Sequence, residues 1–126
     1  DYTDRSTCVI FGDGAGAAVL APVEEDRGIL ATKIRSDGRF AEQLYSPGGG
    51  TRHGTTHETI DNRMHYFKMK GNELFKIAVR SMAEISREML DQAGYSVEDV
   101  KIVIPHQANQ RITDAVAQKL GVPEEK

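Results

Sequence analysis

The residues best suited to chemistry lie in one short stretch, Pro105-His106-Gln107-Ala108-Asn109. An apolar run precedes this stretch at residues 102–104, and a helical pattern follows it at residues 110–120. We therefore expect His106 at a strand-to-helix corner, where a helix N-terminus offers unpaired N–H groups and an imidazole can donate or accept a proton. A histidine that only caps or packs at the turn is an equally good interpretation of the local sequence, because catalytic sites usually need two or three groups.

Three other features carry weaker chemical signals. The glycine cluster at residues 12–16 lacks both the P-loop spacing and the GxGxxG spacing, so a structural turn is favoured over phosphate binding. Cys8 lies in an apolar run without an adjacent base, which indicates a core residue. His53 and His57 are four residues apart, but Gly54 between them favours a loop, and we expect no metal site.

Hydrophobic periodicity predicts the elements that must position these groups. Apolar residues three and four positions apart predict helices at residues 72–93 and 110–120, which end at Gly94 and Gly121. Short β-branched runs predict four strands, at residues 7–11, 17–21, 29–35 and 101–104. The order of strands followed by helix, strand and helix predicts an incomplete α/β layered fold.

Two segments between these elements are expected to be irregular. A polar turn is predicted at residues 24–28. Residues 37–63 show no periodicity and contain three consecutive glycines, so they are expected to form a long loop that acts as a lid, a binding loop or a mobile insertion.

The composition fits one ordinary α/β domain and excludes several classes of function. The 126 residues are 39% hydrophobic and carry a formal net charge of −3, which gives no support for a general nucleic-acid surface. No apolar run approaches the ~20 residues that span a bilayer, so we expect no membrane contact. The single cysteine suits a reducing cytoplasm. The chain begins with Asp1 rather than Met, and we expect it to be an excerpt of a longer protein.

Three motifs, taken together and in order, resemble the ketoacyl synthase III family, the 3-oxoacyl-acyl-carrier-protein synthases that start bacterial fatty-acid synthesis. They are DRSTC running into FGDGAGA at residues 4–17, MKGNELFK at residues 69–76, and PHQANQRI at residues 105–112. The resemblance covers nearly the whole chain except residues 46–63. It implies a thiolase-like layered αβαβα fold and a homodimer. Residues 1–28 would end the N-terminal half of that fold, and residues 29–126 would begin a truncated C-terminal half.

The resemblance also implies a mechanism. An acyl group would pass from acyl-CoA to a cysteine upstream of Asp1, and a malonyl thioester on the acyl carrier protein would then lose carbon dioxide and attack that acyl group. His106 would be the catalytic histidine and, with an asparagine downstream of Lys126, would donate hydrogen bonds to the thioester oxygen. Cys8 is not the nucleophile, so the chain alone is expected to be inactive. The substrates are acyl-CoA and malonyl-acyl-carrier-protein, with no further cofactor and no metal.

Two groups of residues match binding positions of the family. Asn72 and Phe75 match positions that line the tunnel for the pantetheine arm. The stretch that meets the carrier protein maps onto Gln107, Ala108, Asn109, Gln110 and Arg111. Arg111 is the strongest candidate among them, because an outward-facing guanidinium suits a phosphate or an acidic helix.

Other functions remain open from the sequence. A plant-type polyketide synthase or a hydroxymethylglutaryl-CoA synthase is the nearest rival within the superfamily. Outside it, the chain could be an actin-like nucleotide-binding module or a non-catalytic acyl-carrier-binding segment.

Overall fold

The computed structural model describes residues 1–24, 27–123 and 125–126. In chain order the elements are a 3₁₀ helix (Gly38–Gln43), β1 (Leu44–Tyr45), α1 (His57–Asp61), β2 (Lys68–Met69), α2 (Gly71–Ala93) and α3 (Gln110–Leu120). The contacts define two compact units, Asp1–Gly14 with Ser36–Leu74, and Ala15–Arg35 with Phe75–Lys126. The boundary between residues 28 and 29 follows from the resemblance alone and stays a prediction. Among the described residues, no helix is both long and apolar enough to cross a membrane.

Both predicted helices are confirmed, and their ends have the expected chemistry. Gly94 and Gly121 adopt φ angles of 75° and 80°, the left-handed conformation that glycine accepts at least cost after a helix. At the start of α3, the Asn109 side chain accepts a hydrogen bond of 3.1 Å from the Ile112 N–H. Asn109 is therefore the N-cap of α3.

The second unit is held by one apolar cluster. The buried members come from α2, α3 and the residues just after α3: Ala83, Ile112, Val116, Leu120 and Val122. Partly buried side chains pack around them, including Phe75 and Val103. Arg87 of α2 also donates a hydrogen bond to the Lys119 carbonyl of α3. The apolar stripe predicted for α3 is thus the face that the cluster buries.

The four predicted strands are wrong in this structure. At residues 7–11 the backbone turns instead, and the Cys8 N–H donates to the Asp4 carbonyl at 3.0 Å. The segments at residues 17–21, 29–35 and 101–104 are not paired strands, and side chains such as Val19 are almost fully exposed. β-branched residues favour a strand only where a neighbouring strand supplies the hydrogen bonds and a packed face. Of the turn expected at residues 24–28, residues 25 and 26 lie outside the described part of the chain.

The predicted long loop at residues 37–63 is partly wrong, because three short elements lie within it. The 3₁₀ helix leads into β1, which pairs antiparallel with β2 so that Leu44 faces Met69. The start of α1 carries a capping box, in which Thr56 and Thr59 each accept a hydrogen bond from the other's backbone N–H. A threonine stands at the third position in place of the usual glutamate or glutamine, so the sequence does not show the usual capping-box pattern.

One glycine of this segment is required by a close approach. The Gly48 N–H donates to the Met64 carbonyl at 2.8 Å, and a Cβ on Gly48 would lie 2.9 Å from the Met64 Cβ. Only glycine fits that distance without a shift of the backbone. The first unit also stacks Phe11 on Phe67, with ring centroids 5.2 Å apart.

We expect Asn109→Ala to lower the free energy of unfolding by about 1 kcal/mol, because the Ile112 N–H loses its acceptor at the start of α3. Asn109→Asp keeps an acceptor oxygen and should unfold at the wild-type midpoint. Urea denaturation followed by circular dichroism measures both variants. Equal midpoints for Asn109→Ala and wild type would show that the cap does not stabilise α3.

Candidate functional site

His106 lies in the irregular segment that leads into α3, three residues before the N-cap Asn109. Its side chain is exposed, and among the described residues none makes a hydrogen bond to the imidazole. The helix predicted after His106 is therefore confirmed, while the strand predicted before it, at residues 101–104, is not present. An exposed imidazole without an internal partner is free to donate a hydrogen bond to a bound molecule.

The start of α3 adds backbone donors beside His106. The N–H groups of Ile112 and Thr113 are already bonded to Asn109, at 3.1 and 3.4 Å to its carbonyl oxygen. The N–H groups of Gln110 and Arg111 precede the first intrahelical bonds and have no partner within the helix. A helix start of this kind carries partial positive charge, so this end of α3 suits an anionic group.

Two of the five predicted carrier-binding side chains are used within α3 itself. Asn109 forms the N-cap, and the Gln110 side-chain amide donates to the Asp114 carboxylate at 2.6 Å. Gln107, Ala108 and Arg111 are exposed, and no hydrogen bond or ion pair occupies their side chains in the described part of the chain. These three residues are the members of the stretch that can meet a partner without breaking a bond of α3.

The structure brings together one predicted carrier-binding residue and one predicted tunnel residue. The Arg111 guanidinium carbon lies 5.7 Å from the centroid of the Phe75 ring, within the range of a cation–π contact. Phe75 is half-buried and packs against the apolar cluster, while Asn72 lies exposed one turn earlier in α2. The expected exposure of Arg111 is observed, but its guanidinium lies over a ring. No local sequence pattern indicates this contact, because the two residues are 36 positions apart.

Asp4 and Asp99 have lowered pKa values, and each accepts hydrogen bonds that stabilise a local turn. The Ser6 hydroxyl and N–H both donate to Asp4, at 2.6 and 3.0 Å, and these bonds lower the pKa of the carboxyl. The Ser96 N–H and hydroxyl do the same for Asp99, at 2.8 and 2.7 Å. A lowered pKa keeps each group ionised near neutral pH, which suits a fixed acceptor and not a proton donor.

Cys8 and the loop histidines do not build a second site. Cys8 is partly buried and borders a cavity of about 360 Å³ with aromatic neighbours that include Phe11 and Phe67. His57 is the first residue of α1 and not part of a loop. In the residues that the structure describes, no group of three His, Cys, Asp or Glu side chains is close enough to hold a metal ion.

A second cavity, of about 420 Å³, is lined mainly by apolar side chains of the second unit. Met89 and Leu90 of α2 and Leu120 of α3 form part of its wall. Its one serine, Ser86, donates its hydroxyl to the Met82 carbonyl at 2.8 Å. The lining supplies no charged acid, base or activated nucleophile, so the start of α3 remains the candidate site.

Two family models match the chain. The model of 3-oxoacyl-[acyl-carrier-protein (ACP)] synthase III matches residues 1–38. The model of the C-terminal part of the same synthase matches residues 90–126, a range that contains His106 and α3. Together they match more than half of the chain, and the order of the two parts agrees with the order expected from the motifs.

Curated relatives extend the match along almost the entire chain. A beta-ketoacyl-[acyl-carrier-protein] synthase III of Desulfitobacterium hafniense is 49% identical over 97% of the chain. The corresponding synthase of Aquifex aeolicus is 48% identical over 100% of the chain. The chain spans 37% and 36% of the length of these two relatives.

Solved structures give the same result for the fold. The crystal structure of 3-oxoacyl-[acyl-carrier-protein] synthase III from Aquifex aeolicus matches 100% of the chain with a TM-score of 0.81 and 49% identity. The synthase from Pseudomonas aeruginosa matches 98% of the chain with a TM-score of 0.80 and 37% identity. The fold class is thus the thiolase-like α/β class of these synthases, and by sequence and by structure the chain belongs to the 3-oxoacyl-[acyl-carrier-protein] synthase III family.

Proposed function

We propose that the chain is part of a decarboxylating condensing enzyme that joins an acyl-CoA primer to malonyl-acyl-carrier-protein at the start of fatty-acid synthesis. One observation carries the proposal: His106 is exposed, lacks an internal partner among the described residues, and stands just before the capped start of α3. The curated relatives of the chain bear the name beta-ketoacyl-[acyl-carrier-protein] synthase III, which supports this proposal.

The proposed reaction places negative charge beside His106. The malonyl thioester loses carbon dioxide, and the electron pair of the broken carbon–carbon bond delocalises onto the thioester oxygen as an enolate. The enolate carbon then attacks the acyl group on a cysteine, and that cysteine leaves as a thiolate. The His106 N–H donates a hydrogen bond to the enolate oxygen, and a fixed donor of this kind is worth roughly 3–4 kcal/mol of transition-state stabilisation.

The start of α3 supports His106 in this role. Asn109 fixes where the helix begins, and the free N–H groups of Gln110 and Arg111 add positive potential next to the imidazole.

The remaining assignments are also part of the proposal. Asn72 and Phe75 contact the pantetheine arm, and Gln107 to Arg111 meet the acyl carrier protein, with Arg111 as the charged member. Residues 1–28 and 29–126 belong to the two thiolase-like halves of a cytoplasmic homodimer.

We expect the 126 residues alone to show no condensing activity, because the nucleophilic cysteine and the asparagine that the family uses have no match within them. The measurement combines the purified chain with acetyl-CoA and malonyl-acyl-carrier-protein and follows product formation. Product above background that disappears in His106→Ala would show that the catalytic set is misassigned.

In the full-length enzyme, we expect His106→Ala to slow malonyl decarboxylation and condensation by roughly 10²- to 10³-fold, since it removes a donor to the enolate oxygen. Acylation of the cysteine by acyl-CoA should fall much less. The two half-reactions are measured separately, with His53→Ala, an exposed histidine in the segment before α1, as the matched control. Equal losses in both half-reactions would assign His106 a general-base role instead.

We expect Arg111→Glu in the full-length enzyme to lower kcat/KM for malonyl-acyl-carrier-protein about tenfold and to leave acylation by acyl-CoA nearly unchanged. The effect should shrink as salt is added, because the lost contact is between exposed charges. Steady-state kinetics at two ionic strengths, with Arg52→Glu as an equal charge reversal at an exposed arginine elsewhere, decides the point. An unchanged kcat/KM would remove Arg111 from the carrier surface.

A further inference from the structure

Arg111 is an exposed residue whose guanidinium is nevertheless placed by a contact. Its guanidinium carbon lies 5.7 Å from the Phe75 ring centroid. The nearest carboxylate along α3, that of Asp114, already accepts a hydrogen bond of 2.6 Å from Gln110. Among the described residues no ion pair involves Arg111, so the ring is the contact that restrains it.

Phe75 is itself held in place. It is half-buried on α2 and packs against the apolar cluster that also contains Ile112 and Val116 of α3. A long arginine side chain normally loses rotamer freedom when it binds a partner, and a ring that already restrains the guanidinium reduces this loss. A planar guanidinium can stack on the ring with one face while its N–H groups at the edge stay free for a phosphate or carboxylate.

We propose that Phe75 is a positioning residue for Arg111, so that recognition of an acidic carrier surface depends on a ring that does not itself touch that surface. This inference rests on the proposed function of Arg111 and deepens it. A substitution at Phe75 can change the rate in two ways, through Arg111 or through the pantetheine arm. An effect through Arg111 concerns only carrier-borne substrates, whereas an effect on the pantetheine arm concerns every substrate that bears the arm.

The test compares two malonyl donors in the full-length enzyme. Malonyl-acyl-carrier-protein presents the carrier surface, and malonyl-pantetheine presents the same arm and thioester without carrier or phosphate. The measured quantity is the ratio of kcat/KM for the first donor to kcat/KM for the second. The variants are Phe75→Leu, which removes the ring, Arg111→Gln, which removes the charge, and the combination of the two.

We expect Phe75→Leu to lower this ratio about threefold to tenfold, as the loss of one cation–π contact allows. Arg111→Gln should lower it at least as much, and the double variant should fall no further than Arg111→Gln, because the ring acts only through the guanidinium. The salt dependence of kcat/KM for the carrier substrate should weaken in both single variants. A merely structural loss of packing would not change that salt dependence.

Two variants serve as controls. Phe75→Tyr keeps a ring and should keep the wild-type ratio. Phe40→Leu removes a ring that also lies under an arginine, with the Arg39 guanidinium carbon 5.6 Å from its centroid, and should leave the ratio unchanged.

Three results would overturn the inference. Equal losses for both donors in Phe75→Leu would show that the ring acts only on the pantetheine arm and not through Arg111. A loss in the double variant equal to the product of the single losses would show that the two residues act independently. An unchanged ratio in Arg111→Gln would overturn the proposed carrier contact itself, which distinguishes that failure from a failure of the coupling alone.

Discussion

The placement of the candidate site depends on the apolar cluster around Val116. Ile112, Val116 and Leu120 recur along one face of α3, and burying that face together with Ala83 of α2 determines how α3 is oriented within its unit. The N-cap at Asn109 then determines where the helix begins, and His106 stands three residues before that point. A change in the cluster would move the histidine and the free N–H groups of the helix start together.

The same cluster links the chemistry at the start of α3 to α2. Phe75 packs on it from α2, and Arg111 reaches back over the Phe75 ring from α3. The arginine proposed to meet the carrier thus lies in the first turn of α3, and the histidine proposed to stabilise negative charge lies five residues earlier, in the segment that leads into α3. Under the proposed function, the docking residue and the histidine are close together along the chain, and such positioning of substrate beside a catalytic group contributes to rate.

The apolar segments outside the helices include residues that are largely exposed. Val19, Ile34 and Ile104 are 96%, 97% and 74% exposed, although their residue types favour strands. The chain spans 36–39% of the length of the relatives that it matches. In the part of the chain that the structure describes, the one paired sheet is that of β1 and β2, and it contains none of these segments. A helix forms its hydrogen bonds within itself, whereas a strand must find them in another segment.

The sequence by itself determined the two long helices, their glycine ends and the position of His106 beside a helix start. These features depend on residues within a few positions of one another. Apolar residues three and four positions apart indicate the two helices, and Gly121 directly follows Leu120. It also determined the family, because three motifs and their order are properties of the residues alone.

The tertiary structure decided the rest. It left the four predicted strands unpaired and folded part of the expected loop through the pairing of β1 with β2. It assigned Asn109 and Gln110 to the helix itself and brought Arg111 onto Phe75, 36 residues away in sequence. The bonds of Asn109 and Gln110 lie within the first turns of α3, where a side chain can bind either the helix or a partner. The pairing of strands and the contact of Arg111 with Phe75 depend on segments far apart in the chain, and local periodicity carries no information about such contacts.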